Sequence, residues 1–339
     1  MIHGGDIYNN KVILDFSVNV NPLGMPESVK TALFNAVSEA HVYPDIESAE
    51  LRKEMSAFLG VKEEALIFTN GASEGFMSIV HALKPKKVLM TAPSFYGYEY
   101  ASNECEKTYY YLKEEDDFRL TADFLDALDE DVDMVFLCNP NNPTSSSVEG
   151  SLVKEILDKC ESLGIYTVLD ESFSFFCERD NSCIGLTREY KKLIIVSSFT
   201  KIFTIPGVRL GICINSDKET VSGIKSSLPE WNLSVFAQRA GMACVKEKEF
   251  IEKTRKTVKN ERTFLDEGLN KLGIQTFGGE ANFILIKTVP DLYERLIKRE
   301  ILIRDCSNFK GLDKGFFRLA VRSHKENEEL LEILSEVLK

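Results

Sequence analysis

Short runs of apolar residues alternate with longer amphipathic stretches through the middle of this chain, and no other feature of the sequence limits its fold as strongly. Strand-like runs stand at Leu66-Ile67-Phe68, Val88-Leu89-Met90, Tyr109-Tyr110-Tyr111, Met134-Val135-Phe136-Leu137, Thr167-Val168-Leu169, Ile194-Ile195-Val196 and Gly211-Ile212-Cys213. Such an alternation is the mark of a parallel sheet covered by helices. An α/β fold is therefore predicted, with one mostly parallel seven-stranded sheet and helices on both faces. Upstream, Pro26 followed by Val29, Leu33, Ala36, Val37 and Ala40 predicts a helix with proline in its first turn. A second helix carries Leu51, Met55, Phe58 and Leu59 on one face and stops at Gly60.

After about residue 240 the texture changes. A long charged helix from Glu247 to Leu272 precedes strands at Phe283-Ile284-Leu285-Ile286, Ile301-Leu302-Ile303 and Phe316-Phe317-Arg318-Leu319, and a last helix carries Leu330, Leu334 and Val337. The expected division is an N-terminal arm and helix over 1–40 belonging to a small domain, a large domain over 41–240, and a small C-terminal α+β domain over 241–339. The sequence contains no Gly/Ser linker, so the domains should pack against each other.

Charge and cysteine placement narrow the function. With 41 basic and 53 acidic residues the net charge is -12, which disfavours nucleic acid and anionic membranes and favours a small-molecule partner. The eight cysteines show no two-residue-gap pair, so no metal site is expected. No apolar run approaches the ~20 residues that span a bilayer, and Met1-Ile2-His3-Gly4-Gly5 lacks the features of a signal peptide, so a cytoplasmic location is expected.

In open α/β sheets ligands sit at the carboxyl ends of the strands, and the unusual polar residues of this sequence fall there. Asn70-Gly71-Ala72-Ser73-Glu74-Gly75 is either an ordinary strand-to-helix turn or a phosphate-binding helix start. Asn139-Pro140-Asn141-Asn142-Pro143-Thr144 would hold an amide side chain rigidly at the sheet edge. Asp170 closes a buried run and is either a helix cap or a carboxylate in need of a partner. Lys201, in Ser197-Ser198-Phe199-Thr200-Lys201, is followed by Arg209 in Pro206-Gly207-Val208-Arg209-Leu210-Gly211. Taken alone, Lys201 could be a phosphate ligand, a snorkelling surface residue, or an amine activated by desolvation and nearby cations for attack on a carbonyl.

Together these residues match the needs of pyridoxal 5'-phosphate: an acid for the ring nitrogen, an amide for the ring oxygen, a phosphate cradle and an amine for the aldehyde. The chain resembles the fold-type-I pyridoxal-phosphate enzymes of the class I/II aminotransferase family, from His3 to the last helix. That resemblance implies that Lys201 forms the Schiff base, Asp170 pairs the ring nitrogen, Asn142 holds the ring oxygen, and Ser198, Arg209 and the amides of Ala72 and Ser73 hold the phosphate. It also implies that Tyr98, in Pro93-Ser94-Phe95-Tyr96-Gly97-Tyr98, stacks on the cofactor ring. Tyr43, in Tyr43-Pro44-Asp45, would reach the cofactor phosphate of a second subunit, implying a homodimer with a shared site.

Within the family, three stretches are similar to the threonine-phosphate decarboxylases of corrinoid biosynthesis, themselves similar to histidinol-phosphate aminotransferases. They are His3-Gly4-Gly5 with Asp15 to Gly24, Asp170-Glu171-Ser172-Phe173, and Ile303 to Phe309 with Phe317 to Arg322. Phe173 stands where the aminotransferases usually carry tyrosine, and Ser145 stands where glycine is usual. The resemblance implies a phosphorylated amino acid as substrate, L-threonine O-3-phosphate or serine phosphate. His3, Asn19 and Arg304 would hold its phosphate, and Arg318 its α-carboxylate. Arginine suits both tasks because its planar fork binds such anions bidentately.

Overall fold

The computed structural model describes residues 4–178 and 181–339. Among the described residues thirteen strands follow one another: β1 (Leu14–Asp15), β2 (Leu66–Thr69), β3 (Lys87–Ala92), β4 (Glu106–Tyr111), β5 (Met134–Cys138), β6 (Tyr166–Asp170), β7 (Leu193–Ser198), β8 (Gly211–Ile214), β9 (Gln275–Phe277), β10 (Phe283–Lys287), β11 (Ile301–Leu302), β12 (Arg304–Asp305) and β13 (Phe316–Ala320). The seven expected runs form one sheet in the order β2-β8-β7-β6-β5-β3-β4. Six strands, β2 to β7, run in one direction; β8 alone is antiparallel and lies between β2 and β7. That reversal brings Arg209, just ahead of β8, back beside Lys201.

Helices cover the sheet because their apolar residues recur on one face. The helix Gly150–Leu163 buries Val153, Ile156, Leu157 and Cys160 and ends at Gly164, whose φ of 78° suits glycine. The helix Ala72–Leu83 buries Phe76, Ile79 and Val80 against the opposite face. At about 1.5–3 kcal/mol for each large apolar side chain buried, these two faces fix the sheet as a rigid floor.

The first forty residues divide between two cores. Leu14 and Phe16 join the C-terminal core, where β1 pairs parallel with β11, whereas Val29 of the helix Glu27–Ala36 packs in the core of the large sheet. The single expected run at 301–303 is two short strands: β11 pairs with β1, and β12 pairs with β13, with Ile303 between them. A strand at 275–277 that apolar patterning did not mark completes the four-stranded antiparallel sheet β12-β13-β10-β9. The helix Lys248–Lys271 joins the cores, with Ile251 and Val258 buried in the first and Leu265 and Leu269 in the second. Among the described residues, no helix is long and apolar enough to cross a membrane.

Candidate active site

Sheet register brings the strand-end motifs together. Cys138 is opposite Asp170, and Asp170 is opposite Val196, so the tips of β5 and β6 are level and β7 runs two residues past them to Ser198. On the far side of β7, Gly211 of β8 is the partner of both Ser198 and Thr69. A Cβ at Gly211 would lie 2.5 Å from the Gly71 carbonyl carbon and 2.7 Å from the Ala72 nitrogen. The missing side chain therefore lets the Asn70–Ser73 turn close onto β8 at Gly211. Gly71 itself has a φ of 77°, and a Cβ there would meet the Arg209 guanidinium at 2.4 Å.

The result is a small cavity of about 90 Å³ lined by Ala72, Ser73, Phe95, Asn142, Asp170, Ser172, Phe173, Ser198, Thr200, Lys201 and Arg209. At one end the free amides of the Ala72–Leu83 helix start and the Arg209 side chain form a positive cradle. Ser198 caps the short helix Phe199–Ile202 and shares a hydrogen bond with Thr200 across 2.7 Å. At the other end lies the buried Asp170. Its Oδ1 accepts the Ser172 backbone N–H at 2.9 Å, and its Oδ2 accepts the Tyr98 hydroxyl at 2.7 Å. Burial pushes the Asp170 pKa up, against these donors and the Lys201 charge.

Lys201 sits between the two ends. Its Nζ donates to the Thr200 hydroxyl at 3.2 Å. Burial, then the neighbouring Arg209 charge, pulls its pKa down to about 8, while Asp170 works in the opposite direction. An amine with that pKa is neutral in roughly a tenth of molecules at pH 7, far more than an ordinary lysine, and the neutral form can attack a carbonyl.

A larger cavity of about 380 Å³ opens above it and shares Phe95, Asn142, Phe173 and Lys201. Asn19, Arg304 and Arg318 line this upper space. Arg304 and Arg318 face each other as cross-strand partners on β12 and β13. Arg304 donates to Asn308 Oδ1 at 2.8 Å and to the Asp305 carbonyl. Arg318 donates to Asn142 Oδ1 at 2.5 Å and to the Ser17 carbonyl at 2.8 Å. Burial pulls the Arg318 pKa down to about 10, which leaves it charged at neutral pH. The Nε of Arg318 and the Oδ1 of Asn19 are buried without a hydrogen-bond partner, an expensive arrangement unless a ligand supplies one.

Two expected residues lie elsewhere, and a third lies outside the described residues. Tyr98 is 1% exposed and packs against Phe136, Phe76 and Phe95 with its hydroxyl on Asp170, so it has no open ring face to offer a cofactor. Phe95, three residues earlier, lines both cavities instead. Tyr43 is 81% exposed and tilts against Trp231 with ring centroids 5.0 Å apart, away from the cavity of its own chain. His3 is outside the described residues; Gly4 and Gly5 line the upper cavity. The arm is seated there because Gly5 N–H donates to Ser17 Oγ at 2.7 Å and a Cβ on Gly4 would come within 2.3 Å of the Ser17 carbonyl oxygen. Thr200 also lines the smaller cavity; its place one residue before Lys201 was the available sequence signal.

A lysine amine at a strand tip, a buried carboxylate at one end of its cavity and an anion cradle at the other define a class of enzyme that activates amines through a bound aldehyde cofactor. The family model for class I and II aminotransferases matches residues 11–334, and the chain belongs to this pyridoxal-phosphate-dependent family. It is 34% identical to the threonine-phosphate decarboxylase of Salmonella typhimurium, over 99% of this chain and 96% of that protein. The histidinol-phosphate aminotransferase of Methanosphaera stadtmanae is 26% identical, over 96% of this chain and 91% of that protein. Among solved structures, the histidinol-phosphate aminotransferase from Clostridium acetobutylicum superposes with a TM-score of 0.90 at 32% identity, covering 96% of this chain and 99% of that one.

Proposed function

We propose that this enzyme decarboxylates L-threonine O-3-phosphate, or the corresponding serine phosphate, to carbon dioxide and the amino-alcohol phosphate that corrinoid biosynthesis consumes. The observation that carries the substrate class is the pair of arginines on adjacent strands facing one lysine. Side chains opposite each other across two strands start about 5 Å apart, a spacing that suits two anionic groups on one short amine. The similarity to the Salmonella decarboxylase along nearly the whole chain supports the choice of reaction.

The donor set fits pyridoxal phosphate. When bound, that cofactor supplies an aldehyde for an amine and a protonated ring that accepts the electrons of a broken α-carbon bond. In this reading the helix-start amides of Ala72 and Ser73, with Ser198, Thr200 and Arg209, hold its phosphate. Asp170 holds the proton on its ring nitrogen, the Asn142 amide meets its ring oxygen, and Phe95 covers one ring face. Lys201 would supply the amine for its aldehyde and, as a free ammonium beside the substrate, would donate a proton to the α-carbon that has lost carbon dioxide. Arg318 holds the α-carboxylate; Arg304, Asn19 and His3 hold the substrate phosphate. Phe173 packs edge-on against Phe283, with ring centroids 4.9 Å apart, and brings no hydroxyl to the ring oxygen, so Asn142 carries that contact.

The site is completed by a second copy of the chain. Tyr43 and Trp231, with Phe34, Val37, Val42 and Ile46, expose large apolar side chains on nearby segments, as interaction surfaces do. In the dimer Tyr43 reaches the partner's cofactor phosphate.

The test is an assay with threonine phosphate and pyridoxal phosphate in the absence of any keto acid. Release of carbon dioxide with aminopropanol phosphate is expected. Nitrogen transfer to 2-oxoglutarate without carbon dioxide would instead establish an aminotransferase acting on a phosphorylated amine, the reading that the similarity to the Clostridium enzyme favours.

A further inference from the structure

We propose that Tyr98 is the positioning residue of Asp170: its hydroxyl keeps the carboxylate ionised and aimed along the cofactor cavity. This rests on the reading of Asp170 as the partner of the cofactor ring nitrogen.

The two carboxylate oxygens are held from different sides. The Ser172 N–H takes Oδ1 at 2.9 Å, and the Tyr98 hydroxyl takes Oδ2 at 2.7 Å. Two donors on two oxygens fix the plane of the carboxylate, which one donor would leave free to rotate. The tyrosine is itself immobilised. Its ring stacks on Phe136 at 5.2 Å and 12°, and the rings of Phe76 and Phe95 meet it edge-on at 5.0 and 5.6 Å. The Ser102 N–H and hydroxyl both donate to its carbonyl, fixing the backbone beneath it.

Electrostatics gives the hydroxyl its importance. Asp170 is buried, and burial favours the neutral acid, which cannot act as counter-ion to a protonated ring nitrogen. Each hydrogen bond to the ionised form opposes that tendency. Burial and the adjacent carboxylate also push the Tyr98 pKa well above its ordinary value, so Tyr98 remains a donor throughout the working range. Phenylalanine at 98 would keep the aromatic box and remove only this donor.

The experiment measures the affinity of cofactor-free protein for pyridoxal phosphate and for its 1-deaza analogue, in which a carbon replaces the ring nitrogen. Wild type should prefer pyridoxal phosphate. Tyr98→Phe should bind it about tenfold more weakly while binding the deaza analogue within about twofold of wild type, the expected size of losing one hydrogen bond to a charged group. In an Asp170→Asn background the same substitution should leave the preference unchanged, because the group it acts through is gone. Tyr98→4-aminophenylalanine, which keeps both ring and donor, should restore most of the preference and replaces the first variant if that fails to fold. Equal weakening toward both ligands, or an undiminished preference in Tyr98→Phe, overturns the proposal alone. A wild type that does not distinguish the two ligands overturns the reading of Asp170 and the proposal with it.

Discussion

The floor of the cavity and the wall above it are built on different principles. The floor is the row of strand tips in one sheet, and its polar groups largely satisfy one another: Tyr98 and Ser172 on Asp170, Ser198 and Thr200 on each other, Lys201 on Thr200. The wall joins an N-terminal segment to strands near the C-terminus, through the β1–β11 pair, the Gly5–Ser17 contact and the reach of Arg318 to the Ser17 carbonyl. Its unpartnered buried atoms at Asn19 and Arg318 belong to residues that line the upper cavity, whereas those of the sheet, at Thr69, Thr167 and Ser197, belong to residues that line neither cavity. A floor whose carboxylate, hydroxyls and amine already hold one another can keep a permanent group in one geometry; a wall that leaves polar atoms over at its cavity is suited to a ligand that comes and goes.

If that contrast holds, changes in the floor should abolish chemistry and changes in the wall should alter substrate binding. Lys201→Ala should reduce turnover by about 10²–10⁴-fold, the range of a lost acid–base or nucleophilic group, with the fold intact by circular dichroism. Arg318→Lys loses a planar fork but keeps the charge. Its KM for threonine phosphate should rise about 10–100-fold, the equivalent of ~1.5–3 kcal/mol for hydrogen bonds to a charged group. Arg304→Lys should raise KM by a smaller factor, because of the two it is Arg318 whose Nε is buried with no partner inside the protein. Wall variants that lose turnover with KM unchanged would break the distinction.

The pH dependence sharpens the same comparison. Only the neutral amine attacks an aldehyde, and with a pKa of about 8 roughly a tenth of Lys201 is neutral at pH 7, against about 0.03% for an ordinary lysine. Uptake of pyridoxal phosphate by cofactor-free protein should therefore rise with pH to a half-point near 8. In Arg209→Gln the half-point should move upward, because the Arg209 charge is one of the groups holding the pKa down. A half-point near the ordinary lysine value in wild type would contradict the floor's electrostatics.

The smallest expected effect lies where floor and wall meet. Ser145 has a φ of 63°, which explains why glycine is usual there, yet its hydroxyl accepts from the Ala281 N–H and from the half-buried Arg262, each at 2.8 Å. Glycine would relieve about 1–2 kcal/mol of left-handed strain and lose two hydrogen bonds, one of them to a charge, together worth ~2–4 kcal/mol. Ser145→Gly should therefore be less stable by about 1 kcal/mol in denaturant unfolding; equal or greater stability would show that strain dominates.

The floor was legible in the sequence because its residues follow directly on apolar runs, and strand ends in an open sheet are where ligands bind. The seven runs all appear as strands of one sheet, but nothing local to Gly211–Ile214 marks it as antiparallel. The wall was legible only through resemblance, since pairing Arg304 with Arg318 and seating Gly4 and Gly5 on Ser17 depend on contacts between distant parts of the chain. Phe95 and Tyr98 show the limit at single residues. Three aromatics within four positions offer several candidates for one ring face, and packing around Phe76 and Phe136 decides which is buried.

The central claim is that Lys201 is the amine at which the cofactor is attached. The most direct measurement treats protein loaded with pyridoxal phosphate with borohydride and maps the resulting pyridoxyl group by peptide mass spectrometry. The account predicts one stoichiometric label, on Lys201, and none at that position in Lys201→Ala. A stoichiometric label on another lysine, or loaded protein that carries no label at all, would contradict it.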